Sequence, residues 1–284
     1  MTGTKETMEP WIETYRGAVS PWETDVTEHF TVAFYFDRIA MAEASLATEL
    51  GLTDTLRAGG FVRRYDVRYA RELRAGAAFH IESAAIGTDD NGVRFGHRFI
   101  DSVTGECITW FDVHWDGVAP PRGFDRKIAA WDGPEFEARP DPKDLTKLIP
   151  TSTGRVEPGD LDEFGRLGIC GTVHKFTDSS VQIGAAIGLT ADYIKTGRRG
   201  FSTFEFRVRM SGALGLGDRY ETRTGIAHLG NSSLRFLHVM RDATTGQEVA
   251  RLGQFGVTLD LDVRRPAALA PELRERAEKL VLPT

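Results

Sequence analysis

Cross-linking residues are scarce in this chain. Its 284 residues include two cysteines, Cys107 and Cys170. That is too few for a disulfide framework or a cysteine zinc set, and it fits a reducing compartment. The seven histidines show no ligand spacing with them, so no metal is expected. No run of about 18 apolar residues occurs, so no membrane-spanning helix is expected. Met1–Pro10 is polar and acidic, without the apolar stretch of a signal peptide. Positive charge is not in excess either. The formal net charge is −6, which argues against nucleic acid or an anionic membrane as partner. Gly212–Gly217 is glycine-rich but lies between expected strands, with no helix behind it to hold a phosphate. With 17 Phe, 5 Trp and 6 Tyr, the chain can fill a sizeable core. The reading is a globular, cytoplasmic protein.

Internal repetition decides the organisation. Val19–Asp25 aligns with Val156–Asp162 at an offset of 137. Without a gap this pairs Phe30 with Leu167, Arg38 with Lys175, and Gly51-Leu52-Thr53 with Gly188-Leu189-Thr190. Further on the offset is 141, which pairs Val67-Arg68 with Val208-Arg209, His97 with His238, and Thr104-Gly105 with Thr245-Gly246. Two copies of one unit are expected at 13–116 and 152–263. A linker with six prolines (117–151) and a tail with a short surface helix (264–284) complete the chain.

Each copy has the same order: a short strand, a polar loop carrying an Asp, a long apolar segment, and four strands. Phe36, Ile39, Ala40, Glu43, Ala47 and Leu50 recur at helical spacing, and Gly51 and Gly188 follow where a helix-terminating glycine belongs. Phe61, Tyr65, Val67 and Tyr69 alternate on one strand face. Thr88–Gly92 reads as a turn. A sheet curled around so apolar a helix buries it. A single unit would still leave one sheet edge open, and pairing the two copies edge to edge covers it.

This order, with Pro21-Trp22-Glu23-Thr24-Asp25-Val26-Thr27-Glu28-His29-Phe30, resembles the 4-hydroxybenzoyl-CoA thioesterase-like family of hotdog acyl-CoA thioesterases. The resemblance implies an α+β double hotdog, two tandem units each with a long central helix wrapped by a curled antiparallel sheet. In the family loop an Asp is followed by Gly three residues later, then by His, Val or Met, and Asn. Copy one keeps Asp25 and His29, with Glu28 for Gly and Thr31 for Asn. Copy two keeps Asp162 and Gly165, with Arg166 for His and Gly168 for Asn.

The implied activity is hydrolysis of an acyl-CoA thioester to free acid and CoA. Coenzyme A enters only as part of the substrate, and no cofactor is called for. Asp25 or Asp162 would serve as nucleophile or general base, with amides near Phe30–Val32 and Leu167–Ile169 as oxyanion donors. An Asp at this place also suits a turn or helix cap. His29 is a candidate for orienting the loop. Arg166 is a candidate for substrate binding or for a salt bridge with Asp162. Phe30, Phe34, Tyr35 and Leu167 are expected against the acyl chain.

Glu43 is expected on the solvent side of its helix. If it faces the core it needs a partner, and some hotdog thioesterases use such a helix carboxylate, which makes it a second catalytic candidate. His97 and His238 sit on apolar strand faces and read as core residues first. Arg63, Arg64, Arg68, Arg71, Arg74, Arg198 and Arg199 are candidates for CoA phosphates or for a solvated face. Two alternatives stand beside hydrolysis. A hotdog hydratase or dehydratase would carry Asp five residues before His with Asn-Pro between, whereas Asp25 and His29 are four apart and no Asn-Pro occurs. The other is a non-catalytic module binding an acyl or small ligand. The expected partner is a small-molecule acyl-CoA, on a pseudo-dimer within one chain that is open to further self-association.

Overall fold

Apolar residues at 3–4 spacing set the two long helices. Val32–Leu50 forms α1, which buries Phe36, Ile39, Ala42, Leu46 and Leu50 on one side. In the computed structural model, which describes residues 10–89 and 91–283, each long helix ends on a left-handed glycine, Gly51 at φ 74° and Gly188 at φ 95°. Side chains with a Cβ resist that backbone conformation. The remaining elements of the first unit are β1 (Ile12–Ala18), α2 (Thr53–Ala58), β2 (Val62–Tyr69), β3 (Ala78–Asp89), β4 (Gly92–Asp101) and β5 (Cys107–Asp116). The second unit has β6 (Ile149–Arg155), α3 (Ile169–Ile187), α4 (Ala191–Gly197), β7 (Arg199–Met210), β8 (Arg219–Leu229), β9 (Ser233–Asp242) and β10 (Glu248–Asp260). A two-residue β11 (Arg265–Pro266) and α5 (Pro271–Glu278) follow. The two short helices α2 and α4 are additions to the sequence reading. Met1–Glu9 of the acidic N-terminal stretch and Asp90 of the expected turn lie outside the described residues.

The strand order is β1-β3-β4-β5-β2-β7-β10-β9-β8-β6, antiparallel throughout. Each half has the same internal order, and β2 pairs with β7 to make one continuous sheet. α1 and α3 pack on its concave side and against each other. The chain is therefore an α+β double hotdog. Alternation puts Tyr65, Val67, Phe79, Phe99 and Phe111 inside, all at most 1% exposed. Phe36 meets Tyr65 and Phe111 of its own unit and Phe206 of the other.

The halves are related by a pseudo-twofold axis, and residues at equivalent positions meet on it. Asp66 faces Arg207 in the sheet, with the guanidinium 3.2 Å from the carboxylate. Asp37 faces His174 between the helices, 3.1 Å apart. Away from the axis, equivalent contacts recur. Glu23–Arg38 and Asp160–Lys175 tie each Asp loop to its own helix. Thr14–Ser83–His97 and Thr151–Thr224–His238 form matching buried hydrogen-bond chains.

Two parts are more integrated than their sequences suggest. The proline-rich linker carries a short 3₁₀ turn at Phe124–Lys127 and buries Val118, Phe124, Ala129 and Leu148. It crosses the convex face of the sheet, where Asp132 pairs with Arg98 at 2.6 Å and Arg139 with Glu205 at 3.1 Å. The tail helix is not merely superficial. Leu273, Ala277 and Leu282 are buried, and the first two join Ile183, Ile187 and Ile226 in the second core. No helix among the described residues is long and apolar enough to cross a membrane.

Candidate active site

Both Asp loops have the same construction. Asp25 Oδ1 accepts from Thr27 N–H at 2.8 Å, Thr27 O–H at 2.6 Å and His29 N–H at 3.3 Å. Asp162 Oδ1 accepts from Phe164 N–H at 2.9 Å and Arg166 N–H at 3.0 Å. Each carboxylate thus closes its own turn. Glu28 adopts a left-handed φ of 67° where Gly165 has 79°, so the two loops share one backbone conformation although the side chains differ. Of the three amides expected to polarise a carbonyl, two are occupied in each copy. Phe30 N–H donates to Leu73 and Thr31 N–H to Glu23, as Leu167 N–H does to Leu214 and Gly168 N–H to Asp160. Among the described residues, the next amides, Val32 and Ile169, have no backbone acceptor. They lie at the positive ends of two long helices.

Each loop opens on a cavity whose far wall is the central helix of the other unit. The first, about 420 Å³, joins Asp25, His29 and Tyr35 to Thr177, Ser180 and Val181 of α3. The second, about 310 Å³, joins Asp162 and Phe164 to Ala40, Glu43 and Ala44 of α1. The electrostatics separate them. Asp162 is paired with Arg166 at 3.2 Å, and that guanidinium also donates to the Leu56 carbonyl at 3.0 Å. Among the described residues Asp25 forms no ion pair, and its side chain stands at the first cavity. His29 takes the place of Arg166 there. Burial, helped by the Arg264 charge, lowers its pKa from the ordinary histidine value and favours the neutral ring. Arg264, in the turn between β10 and β11, donates to His29 Nε2 at 2.8 Å, and His29 Nδ1 lies 3.0 Å from the Thr27 hydroxyl. Glu72 Oε2 lies 3.1 Å from the same Nε2, so the ring is bracketed by Arg264, Glu72 and Thr27, and Thr27 in turn holds Asp25.

A family model described as thioesterase-like superfamily matches residues 19–120 and 156–277, most of both units. The chain belongs to the thioesterase-like superfamily. No curated protein matches it in sequence. Three solved structures share the fold across the whole double unit. A provisionally named oleoyl thioesterase from Lactobacillus plantarum is 14% identical, with TM-score 0.67, over 90% of this chain and 99% of that one. An acyl-ACP thioesterase from Bacteroides thetaiotaomicron is 13% identical, with TM-score 0.62, over 88% and 98%. The 12:0-ACP thioesterase from Umbellularia californica is 16% identical, with TM-score 0.60, over 88% and 94%. Within this superfamily the chain is placed as a thioester hydrolase.

The remaining predicted residues of this thioesterase-like chain fall in four places. Phe30 and Tyr35 line the first cavity. Phe34, expected against the acyl chain, instead packs edge-on against His174 at the helix–helix contact, 5.1 Å between ring centres. Leu167 and Arg166 border a recess of about 50 Å³ beside Gly59. Glu43 corrects the expectation of a solvent-facing residue. It is 3% exposed, with Tyr65 donating to Oε2 at 2.9 Å and the Trp115 indole to Oε1. Burial raises its pKa against the pull of Arg63. The two partners satisfy the carboxylate on the apolar face of its helix, where its charge alone suggested water.

The arginines divide as well. Arg64 and Arg68 lie in ion pairs on the convex face, Arg198 and Arg199 pair with Asp262 and Asp260, and Arg71 lines the first cavity. Asp89, His114 and Asp116 bring ligand atoms within 4.8 Å of one another, but the Arg64 guanidinium contacts all three and fills the place of a cation. Sequence reasoning missed Thr27, Glu72 and Arg264 around His29, and Thr203 and Gln254 in the lining of the first cavity. Thr27 had a signal, since a hydroxyl two residues after Asp suits an Asx turn. The others arrive from distant strands and turns.

Proposed function

We propose that the first cavity hydrolyses an acyl-CoA thioester, with Asp25 as the catalytic carboxylate, acting as nucleophile or general base. One observation carries this reading: among the described residues Asp25 is paired with no cation at the larger, mainly apolar cavity, whereas Asp162 is paired with Arg166 at the smaller one. A carboxylate without a cationic partner keeps its electron pair available to a carbonyl carbon or to the proton of a water. The Val32 amide at the start of α1 is the oxyanion donor of this scheme. His29, held neutral, orients Thr27 and through it Asp25. Phe30, Tyr35, Phe201 and Phe236 supply apolar wall for the acyl group, and Arg71, which lines the same cavity and pairs with Glu106, is the candidate to meet a CoA phosphate.

The test is release of free thiol from a panel of acyl-CoAs, with acyl carrier protein thioesters alongside because two structural relatives are named for them. Asp25→Asn is expected to lower kcat by about 100-fold or more, while Asp162→Asn retains activity. Wild-type protein that releases no thiol from any substrate would sink the reading, and the reverse pattern in the two variants would move the site to the second cavity.

A further inference from the structure

The two halves carry the same buried hydrogen-bond chain, but only one of them leads anywhere. In the first unit Thr14 meets Ser83 at 2.6 Å and Ser83 meets His97 Nδ1 at 2.6 Å. There the chain stops, with His97 Nε2 buried and without a partner among the described residues. In the second unit Thr151 meets Thr224 at 2.8 Å and Thr224 meets His238 Nδ1 at 2.8 Å. His238 Nε2 then lies 3.3 Å from Gln254 Oε1. The Ser180 hydroxyl donates to that same oxygen at 2.6 Å, and Gln254 Nε2 donates to the Thr203 hydroxyl at 2.8 Å. Valine occupies the position equivalent to Gln254 in the first unit, Val113. Ser180, Thr203 and Gln254, all of the second unit, line the first cavity together with Asp25, Thr27 and His29 of the Asp25 loop.

This arrangement determines where protons point. In this arrangement Oε1 of Gln254 accepts from Ser180 and faces His238, and its amide N–H donates to Thr203. Its second N–H and the Thr203 O–H remain as donors, and the Ser180 oxygen retains acceptor capacity. Two donors and an acceptor in one patch match a water molecule, which both gives and takes hydrogen bonds, better than a carbonyl oxygen, which only accepts. A hydrocarbon chain laid there would leave these groups unsatisfied.

We propose that Gln254, aligned by the buried Thr224–His238 pair, is a positioning residue that holds the hydrolytic water of the first cavity opposite Asp25. The inference rests on thioester hydrolysis at this cavity and makes Asp25 a general base. The water oxygen bonds to the acyl carbon while its proton passes to the Asp25 carboxylate. The carbon–sulfur bond then breaks, and the departing thiolate takes that proton from Asp25.

The duplication supplies its own control. Thr224→Val and Ser83→Ala remove the same hydrogen bond to histidine, one in each half. Thr224→Val is expected to lower kcat by about 100-fold, the scale of a misplaced reactant, with KM changed little. Thr224→Ser restores it, and Ser83→Ala keeps wild-type kcat. Gln254→Met, close in volume, repeats the loss without touching the histidine. Equal kcat in Thr224→Val and Ser83→Ala, or a change confined to KM, overturns the proposal even if Asp25→Asn is inactive. A fully active Asp25→Asn, or a wild type without thioesterase activity, overturns the parent reading and this inference with it.

Discussion

His97 and His238 show how a single side chain carries the imprint of its surroundings. Both are fully buried among apolar residues, and burial pulls their pKa values down, to about 3 for His97 and about 4 for His238. Each therefore stays neutral in the folded protein and takes up a proton, near the ordinary value of 6.5, only on unfolding. The unfolded state binds more protons in that window, so stability falls as pH drops below about 6.5. His97→Leu is expected to flatten this loss between pH 6.5 and pH 4 in urea unfolding, and an unchanged acid slope would contradict it. The sequence reading placed both histidines in the core from their strand faces. It did not distinguish them, because the difference lies in Gln254, which reaches His238 from a strand it could not place in register. Glu43 was misjudged for a related reason. Helical periodicity says which side a residue is on, but a buried Trp115 indole and a Tyr65 hydroxyl decide whether a carboxylate can stay there.

At the level of elements, long apolar segments were readable and short polar ones were not. α1 and α3 declare themselves through periodic burial and terminal glycines, whereas α2 and α4 are six and seven residues long, too short for a periodic signal. The tail was legible as a helix from Pro271 onward, but its role was not. Its few apolar residues look incidental until Leu273 and Ala277 are seen against Ile183 and Ile187. Truncation before Ala270 should expose that core and lower the melting temperature by several degrees, given that about 1 kcal/mol shifts a domain of 150–250 residues by roughly 2–4 °C. A melting temperature equal to that of the full chain would show the helix to be dispensable. Phe36→Ala, in the first core, should cost about 3–5 kcal/mol, measurable as a reduced denaturant midpoint. Phe36 packs on aromatics of both halves, so the loss is expected in one cooperative transition.

For the whole molecule, the duplication was the most legible feature, because an ordered series of matches survives divergence that erases any single motif. The edge-to-edge pairing followed from the need to cover an open strand, and it appears as the β2–β7 seam. What sequence could not supply was the crossing of contributions, by which each cavity takes its loop from one half and its helix wall from the other. A protease site engineered into 133–136 tests how the halves are held. The β2–β7 ladder and the α1–α3 contact should keep the cut protein a single species in gel filtration, with thioesterase activity intact. Separation into two peaks would make the linker essential to assembly.

The residues on the pseudo-twofold axis have an evolutionary consequence. In a dimer of identical chains, whatever sits on the axis must face its own copy, so an acid there meets the same acid. Here Asp66 meets Arg207 and Asp37 meets His174, pairings that perfect symmetry forbids. Joining the halves in one gene lets each position change once instead of twice. Attraction can then replace self-repulsion at the centre, and one cavity can drift while the other stays under selection. The same pairs make the fusion hard to reverse. Two copies of the first half would set Asp66 against Asp66, so neither half can simply return to life as a homodimer.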